Sequence, residues 1–411
     1  MKAEELFTRQ DDEDLVSLRR EIHSHPELGR DLPNTCRLVE EELAKCGIPF
    51  TEKYCPSSVT GYINYGENPE NAPPVGEEGH VYTIALRADM DALPIEENSG
   101  EEFSSLYPGR MHACGHDAHT AMLAIAARVL KRAADSGAMK IRVKLLFQPN
   151  EEGETEGAKE MVDKGCLDDV DFVYGQHLQP TIPTGKIGTN KGPVMASCHV
   201  HTVIFHGRSA HSTAPQDASD ALAMAIKAAN GIYMMEAREL NPFAKHVISI
   251  CYLHAGTAHN IIPALAEMKI NVRTYSDELD EFITGRVRKI CENAAEELGG
   301  SCEMSAVLMC CVLMNDSLAS DKARAAAVNT VGEENVVESD VKLSSEDFSF
   351  FTKKRPGAFI RLGIANHEKR TCAGGHRADY RVDEDALPIG SRLLVQLALD
   401  ENERAGRDSE L

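Results

Sequence analysis

One short segment, Met111–His119, reads MHACGHDAH and gathers His112, Cys114, His116, Asp117 and His119. Cys114 and His116 are two apart, so in an extended stretch their side chains point the same way. A thiolate beside an imidazole suits a borderline ion such as zinc, and manganese less well. One isolated His or Cys is more often a buried polar residue, but a loop this dense in ligand types reads as a metal site. A second cluster, Gln148-Pro149-Asn150-Glu151-Glu152-Gly153, directly follows the apolar run KIRVKLLF. Adjacent carboxylates commonly mark a solvated loop. After a buried strand and a proline they can instead divide the work: one binds a metal while the other serves as general base toward activated water. His177 closes the run DFVYGQH, where a metal ligand and a core histidine are both open readings. Asp89 and Asp91 lie at the end of VYTIALRADMDAL and could hold a ligand imidazole in place or cap a turn. No G-x-S-x-G elbow, phosphate-binding loop, H-E-x-x-H helix or G-x-G-x-x-G turn is present.

The elements that must position these groups alternate between helical and strand patterns, which predicts an α/β fold. Helices are expected over a segment with Leu15, Leu18 and Ile22, over Thr35–Cys46, and over His116–Ser136, where Met122, Ile125, Ala126, Val129 and Leu130 share a face. Strands are expected at Val59–Tyr65, His80–Leu86, Lys140–Phe147 and Asp171–Gly175, with an exposed Pro- and Gly-rich loop at Asn68–Gly79. The three clusters then lie beyond the carboxyl ends of sheet strands, where open α/β sheets bind ligands. From about Cys198 to Cys310 the pattern changes to four strands and two helices, a self-contained antiparallel sheet with helices on one side. The last part returns to helices at Leu318–Val331 and Ala386–Leu399 around a strand at Ala358–Leu362. The expected plan is a catalytic domain with a central mixed sheet flanked by helices (1–195 and 311–411), interrupted by an inserted α+β domain (196–310).

The chain has 411 residues, of which 42% are apolar and 26% charged, ordinary for a soluble enzyme. A formal charge of −22 argues against nucleic acid or an anionic membrane as partner. No apolar run approaches the ~18–20 residues of a membrane span, and the N-terminus lacks the pattern of a secretory signal. The twelve cysteines are scattered without a C-x-x-C pair, which fits reduced thiols and a cytoplasmic location.

Taken in order, LRREIHSHPELG (Leu18–Gly29), ALRADMDALPI (Ala85–Ile95), MHACGHDAHTAML (Met111–Leu123), FQPNEEG (Phe147–Gly153), GRSAHSTAP (Gly207–Pro215), GTAHNIIPALAEMKINVRTY (Gly256–Tyr275), SEDFSFF (Ser345–Phe351) and the segment after His376 follow one family pattern. The chain resembles the amidohydrolase branch of the aminoacylase and carboxypeptidase-type dinuclear metallopeptidases, which includes hippurate, N-acyl-amino-acid and auxin-conjugate hydrolases. The resemblance implies Cys114, His116, Glu152, His177 and His376 as ligands of two divalent ions, zinc or manganese, with Cys114 shared and Glu151 as general base. It implies that the inserted domain is a lid and dimerisation domain in a homodimer or larger homo-oligomer. There His211 would meet the developing oxyanion, in some relatives across the subunit boundary, and Asn260 and Arg273 would bind the carboxylate of a small N-acyl-amino acid. His23, His25 and Glu27 belong to a family signature and are assigned here to packing. Three departures stand out: Asn150 replaces the usual alanine, Ile270-Asn271 the usual Gly-Thr, and Gly363–His376 has no close counterpart. A dipeptidase or carboxypeptidase on the same scaffold is the alternative, separated by whether the substrate needs a free α-amine. A catalytically dead binding protein would have lost Glu151 or a ligand, and none is missing.

Overall fold

The computed structural model describes residues 1–153 and 157–408. The chain divides into two units: Met1–Val194 with Met314–Asp340 and Asp347–Leu411, and Met195–Leu313 with Val341–Glu346.

In the first unit, short apolar runs form β1 (Val59–Ile63), β2 (Thr83–Asp89) and β3 (Arg142–Gln148), and a longer strand, β4 (Phe172–Pro183), starts on another. They belong to an eight-stranded mixed sheet in the order Phe50–Thr51, β1, β3, β2, β4, Gly357–Ala365, Ile187–Thr189, Val336–Glu338. The centre is parallel, β2 pairing with β3 on one side and β4 on the other, whereas β1 runs antiparallel to β3. Every residue of β1 and β2 is buried, which is why these strands read as continuous rather than alternating apolar runs. Asp89 and Gln148 end their strands side by side in register. The loops carrying Asp91 and Glu151-Glu152 therefore leave the sheet together, at the carboxyl ends of parallel strands.

Helices α1 (Arg9–Ser24), α2 (Pro33–Lys45) and α3 (His116–Asp135) cover the sheet with the later helices Ser317–Val331 and Leu387–Asp408. The sequence periodicity pointed to one apolar face on α3. Instead it is buried around most of its circumference, because α1, α2 and Leu387–Asp408 all pack on it. Its many alanines, among them Ala118, Ala121, Ala124 and Ala127, allow that close approach.

At the start of α1, Thr8 and Asp11 form a capping box: the Thr8 hydroxyl accepts from the Asp11 amide, and Asp11 accepts from the Thr8 amide at 2.8 Å. The same carboxylate accepts from Arg132 on α3 at 3.0 and 2.7 Å. Burial alone would raise its pKa, but the Arg132 and Thr8 hydrogen bonds outweigh that and hold it at about 2. Its folded value lies below the unfolded one, so the stabilisation is complete above about pH 4 and lost as pH falls toward 2. Asp11→Asn is expected to lower stability by roughly 2 kcal/mol at neutral pH, with the gap from wild type closing below about pH 3. Urea midpoints measured across that range check it. An equal gap at every pH would show that the charge of Asp11 is not what stabilises the cap.

The second unit is built on β5 (Cys198–His206), β6 (His246–Ala255), β7 (Leu265–Thr274) and β8 (Ser301–Cys310), antiparallel throughout in the order β6, β7, β5, β8. Its two helices, α4 (Ala221–Glu239) and α5 (Asp277–Glu297), start at the caps Asp220 and Ser276. They bury Met224, Ile232, Ile283 and Val287 against the alternate residues Val203, Phe205, Met268, Ile270 and Val272. The segment Val341–Glu346, expected with the catalytic domain, belongs to this unit. It is tied there by the Ala196 amide to Lys342 O and Ser344 O at 3.2 and 3.1 Å, and by Arg273 to Leu343 O at 3.1 Å.

Candidate metal centre

Cys114 and His116 do reach a common point, but not from extended backbone. Between them Gly115 takes φ +93°, and a Cβ there would lie 2.8 Å from Leu178 Cδ1 and 3.1 Å from the Tyr380 hydroxyl. Only glycine fits this left-handed turn, which starts α3 at His116 and leaves Cys114 on the preceding loop.

The hydrogen bonds of each imidazole decide which rings can bind an ion. His116 Nδ1 is 2.8 Å from Asp91 O, and His177 Nδ1 is 2.7 Å from Leu178 O. A carbonyl only accepts, so each Nδ1 carries the hydrogen and each Nε2 keeps its lone pair. His177 Nε2 lies 3.4 Å from Cys114 Sγ. His116 Nε2 is buried with no hydrogen-bond partner among the described residues. Ligand atoms of Cys114, His116 and His177 fall within 4.8 Å of one another, as do those of Cys114, Glu152 and His376. Cys114 belongs to both groups. Sulfur, nitrogen and carboxylate donors in this combination fit a borderline divalent cation. Burial, with the Glu152 carboxylate nearby, pushes the Cys114 thiol up to about 12, so a cation binding here must displace its proton.

His119 also lies near His116, yet its chemistry differs. Its Nε2 accepts from the Leu178 amide at 3.1 Å, so its Nδ1 donates to Asp89 Oδ1 at 2.6 Å. No lone pair is left for an ion, and His119 acts as a brace between α3 and β4. Asp117 faces away, toward Arg19 Nε at 2.7 Å and His23 Nδ1 at 2.8 Å. Burial opposes its charge, but Arg19 and His23 hold it well below the usual carboxylate range. His112 is buried with neither ring nitrogen paired among the described residues, and burial lowers its pKa to about 3, so it is neutral. His23 is committed to Asp117 and Glu97, while Glu27 accepts from the Asn34 and Thr35 amides at the start of α2. Both have structural partners.

The Glu151-Glu152 loop is held from below by Asp91, whose two oxygens accept from the Glu151 and Glu152 amides at 3.0 Å each. Asn150 precedes them at φ +61°, a conformation asparagine tolerates better than most residues. Ligand atoms of His116, Glu151 and Glu152 also lie within 4.8 Å of one another.

His177 sits in the middle of β4 rather than at its end. The parallel neighbour Gly357–Ala365 pairs Arg361 with His177 and continues to Pro183, which extends the strand past the histidine. His376 is presented by the loop after that neighbour, at φ +64°, with its amide donating to Ala113 O at 2.8 Å. Its Nε2 is 3.0 Å from Glu152 Oε1, and its ring is more than half exposed. The rest of the unmatched stretch is ordered by Thr371, which donates to Ile364 O at 2.5 Å, and by Asn366, which donates to Asp383 at 2.9 Å.

Sequence reasoning missed Arg87 and Asp347 and underweighted Asp89 and Asp91. The buried Arg87 guanidinium donates to Gln148 at 2.7 Å, Asp89 at 2.5 Å and Asp347 at 2.9 Å, and Gln148 donates to Asp347 at 2.6 Å. Burial would raise the Asp89 pKa, but Arg87, His116 and His119 keep it a carboxylate. The available signal was an arginine inside an otherwise apolar, fully buried strand, because a buried charge requires partners.

In the second unit, β-pairing of Ala210–His211 with Ile261–Ile262 brings His211 beside Asn260, with the Ser212 amide donating to Asn260 O at 3.0 Å. His211 is exposed, and its Nδ1 is 2.8 Å from the Thr213 hydroxyl. Arg273 lies apart from them on β7, with Nε 3.0 Å from Asn271 Oδ1.

Comparison with known proteins identifies the family. A family model described as peptidase family M20/M25/M40 matches residues 85–400. Thermostable carboxypeptidase 1 of Saccharolobus solfataricus is 36% identical over 390 residues, covering 94% of each chain. N-acetylcysteine deacetylase of Bacillus subtilis is 32% identical over 386 residues, covering 94% of this chain and 96% of its own. The crystal structure of a Bacillus subtilis dinuclear metal-binding peptidase of the M20 family superposes with a TM-score of 0.79 at 28% identity, over 96% of this chain and 99% of that one. With the match extending over nearly the whole of both chains, this protein belongs to peptidase family M20/M25/M40, a family of metal-dependent hydrolases.

Proposed function

We propose that the protein hydrolyses the amide bond of N-acyl-amino acids, releasing a carboxylic acid and an amino acid. The observation that carries this reading is the pair of ligand groups sharing Cys114, with Glu151 beside them. The sites would hold two divalent ions, zinc or manganese, on Cys114, His116, Glu152, His177 and His376. When bound, such ions supply Lewis acidity that activates water and polarises an amide carbonyl.

The protein's own groups do the rest. Glu151 accepts the proton of the attacking water on its carboxylate and returns it to the departing amine nitrogen. Asp91 fixes the backbone of both glutamates, so that Glu151 and Glu152 keep separate tasks. His211 donates toward the oxygen that becomes negative as the carbonyl is attacked. Arg273 takes the substrate carboxylate through its planar fork of donors, and Asn260, which lies apart from it in one chain, would reach the same carboxylate only from a second copy of the chain. We further propose a homodimer as the working form, in keeping with the family pattern of the inserted domain.

A second reading, cleavage of peptides from the carboxyl end, is favoured by the name of the carboxypeptidase relative. The two separate on the acyl side. Metal-loaded protein is expected to hydrolyse N-acetyl- and N-benzoyl-amino acids faster than dipeptides with a free α-amine or blocked longer peptides. A preference for either peptide class, at matched leaving amino acid, would overturn the amidohydrolase assignment.

A further inference from the structure

Lys269, Asn271 and Arg273 occupy alternate positions of β7, on the face opposite Ile270 and Val272, which are buried against α4 and α5. Cross-strand register places Val247 of β6 beside Arg273, with Ser249 and Val200 on either side of Asn271. With Cys251 they line a cavity of about 430 Å³ on the sheet face that the unit's own helices leave uncovered. That volume falls in the ~300–1,000 Å³ range of small-molecule sites, and an apolar floor with a few convergent polar groups is their usual lining.

The Arg273 guanidinium at this cavity is not loose. Its Nε donates to Asn271 Oδ1 at 3.0 Å, and its Nη1 donates to Leu343 O at 3.1 Å and Ser345 Oγ at 3.3 Å. Its Nη2 makes no hydrogen bond among the described residues. Asn271 is anchored in turn, because its Nδ2 donates to Cys198 Sγ at 3.5 Å. The amide thus spans from one strand to the guanidinium and sets the plane of the guanidinium. A threonine, usual at this position in the family, offers a single hydroxyl on a shorter stem and cannot make both contacts in this geometry.

We infer that Asn271 is a positioning residue: it orients Arg273 so that this cavity receives the amino-acid half of the substrate, with the carboxylate on Nη2 and an apolar side chain against Val200 and Val247. The inference rests on the proposed role of Arg273 in binding the substrate carboxylate. Lys269 on the same wall is paired with Glu267 at 3.4 Å, so discrimination against a cationic side chain rests on the apolar contacts of Val200 and Val247. Preorganising the guanidinium lowers the ordering cost of gripping a carboxylate, so its loss should appear in KM rather than in kcat.

The test compares Asn271→Leu, Asn271→Asp and Arg273→Met on N-acetyl-leucine and on its carboxamide, which lacks the carboxylate. Asn271→Leu is expected to raise KM for N-acetyl-leucine about tenfold, with kcat little changed and the carboxamide unaffected. Asn271→Asp keeps the acceptor for Nε but loses the donor to Cys198 Sγ, and is expected to raise KM for N-acetyl-leucine less than Asn271→Leu does. If Arg273→Met loses carboxylate-dependent binding while Asn271→Leu does not, the positioning role is overturned and the role of Arg273 stands. If neither variant shows a carboxylate-dependent change, both are overturned. Wild type is also expected to favour N-acetyl-leucine over N-acetyl-lysine at least about tenfold in kcat/KM, on the scale of losing apolar contact. The reverse order would overturn the assignment of the apolar floor.

Discussion

Glu151→Gln is expected to retain both ions and lose turnover by about 10²–10⁴, the range that a positioned general base supplies. The substitution keeps the length and shape of the side chain. The backbone at this point is held by Asp91 through the Glu151 and Glu152 amides, so the loop has no reason to rearrange. Glu152 faces the other way chemically: its carboxylate shares a ligand group with Cys114 and His376, and its Oε1 lies 3.0 Å from His376 Nε2. Burial opposes its charge, yet the His376 hydrogen bond and His116 keep it below the ordinary carboxylate range. A carboxylate so engaged suits an ion better than a shuttling proton, which leaves Glu151 for the proton. Metal content by elemental analysis and kcat on an N-acyl-amino acid check the prediction together. A variant as active as wild type would remove Glu151 from the mechanism, and a variant that lost metal would make it a ligand.

Cys114→Ala is expected to have the larger effect on metal binding. Its sulfur is common to the ligand group with His116 and His177 and to the one with Glu152 and His376, so removing it takes a donor from each. At least one ion should be lost after dialysis, with turnover falling by about 10³ or more, since the activated water and the polarised carbonyl both depend on the ions. Thermal stability should fall as well, and added metal should restore less of it than in wild type, because only an ion that binds the folded chain stabilises it. Metal stoichiometry and melting curves with and without added ion read this directly. Binding of both ions at wild-type strength would show that Cys114 is not shared.

Much of the site is legible in the amino-acid sequence. Cys114, His116, Glu151 and Glu152 stand out because ligand types are dense in segments adjoining strongly patterned strands and a strong helix. The strands and helices of the second unit are equally legible, since β5 and β7 face helices on one side only and their alternation survives in the sequence. His376 and His177 carry weaker local signals. His376 lies on an irregular loop at positive φ, and His177 lies within a strand whose length depends on a partner some 180 positions later in the chain. The Arg87–Asp347 pair is beyond reach for the same reason, as its members meet only when the sheet closes.

By itself the sequence determined the metal-binding chemistry, the α/β plan and the family, because residue type and local periodicity are properties of short segments. The tertiary structure alone decided which histidines have a lone pair left. His116 and His177 spend Nδ1 on carbonyls and keep Nε2, whereas His119, an equally good ligand by residue type, is used up between Asp89 and the Leu178 amide. That distinction depends on hydrogen-bond partners brought in from separate strands, and the spacing of residues along a chain does not encode it.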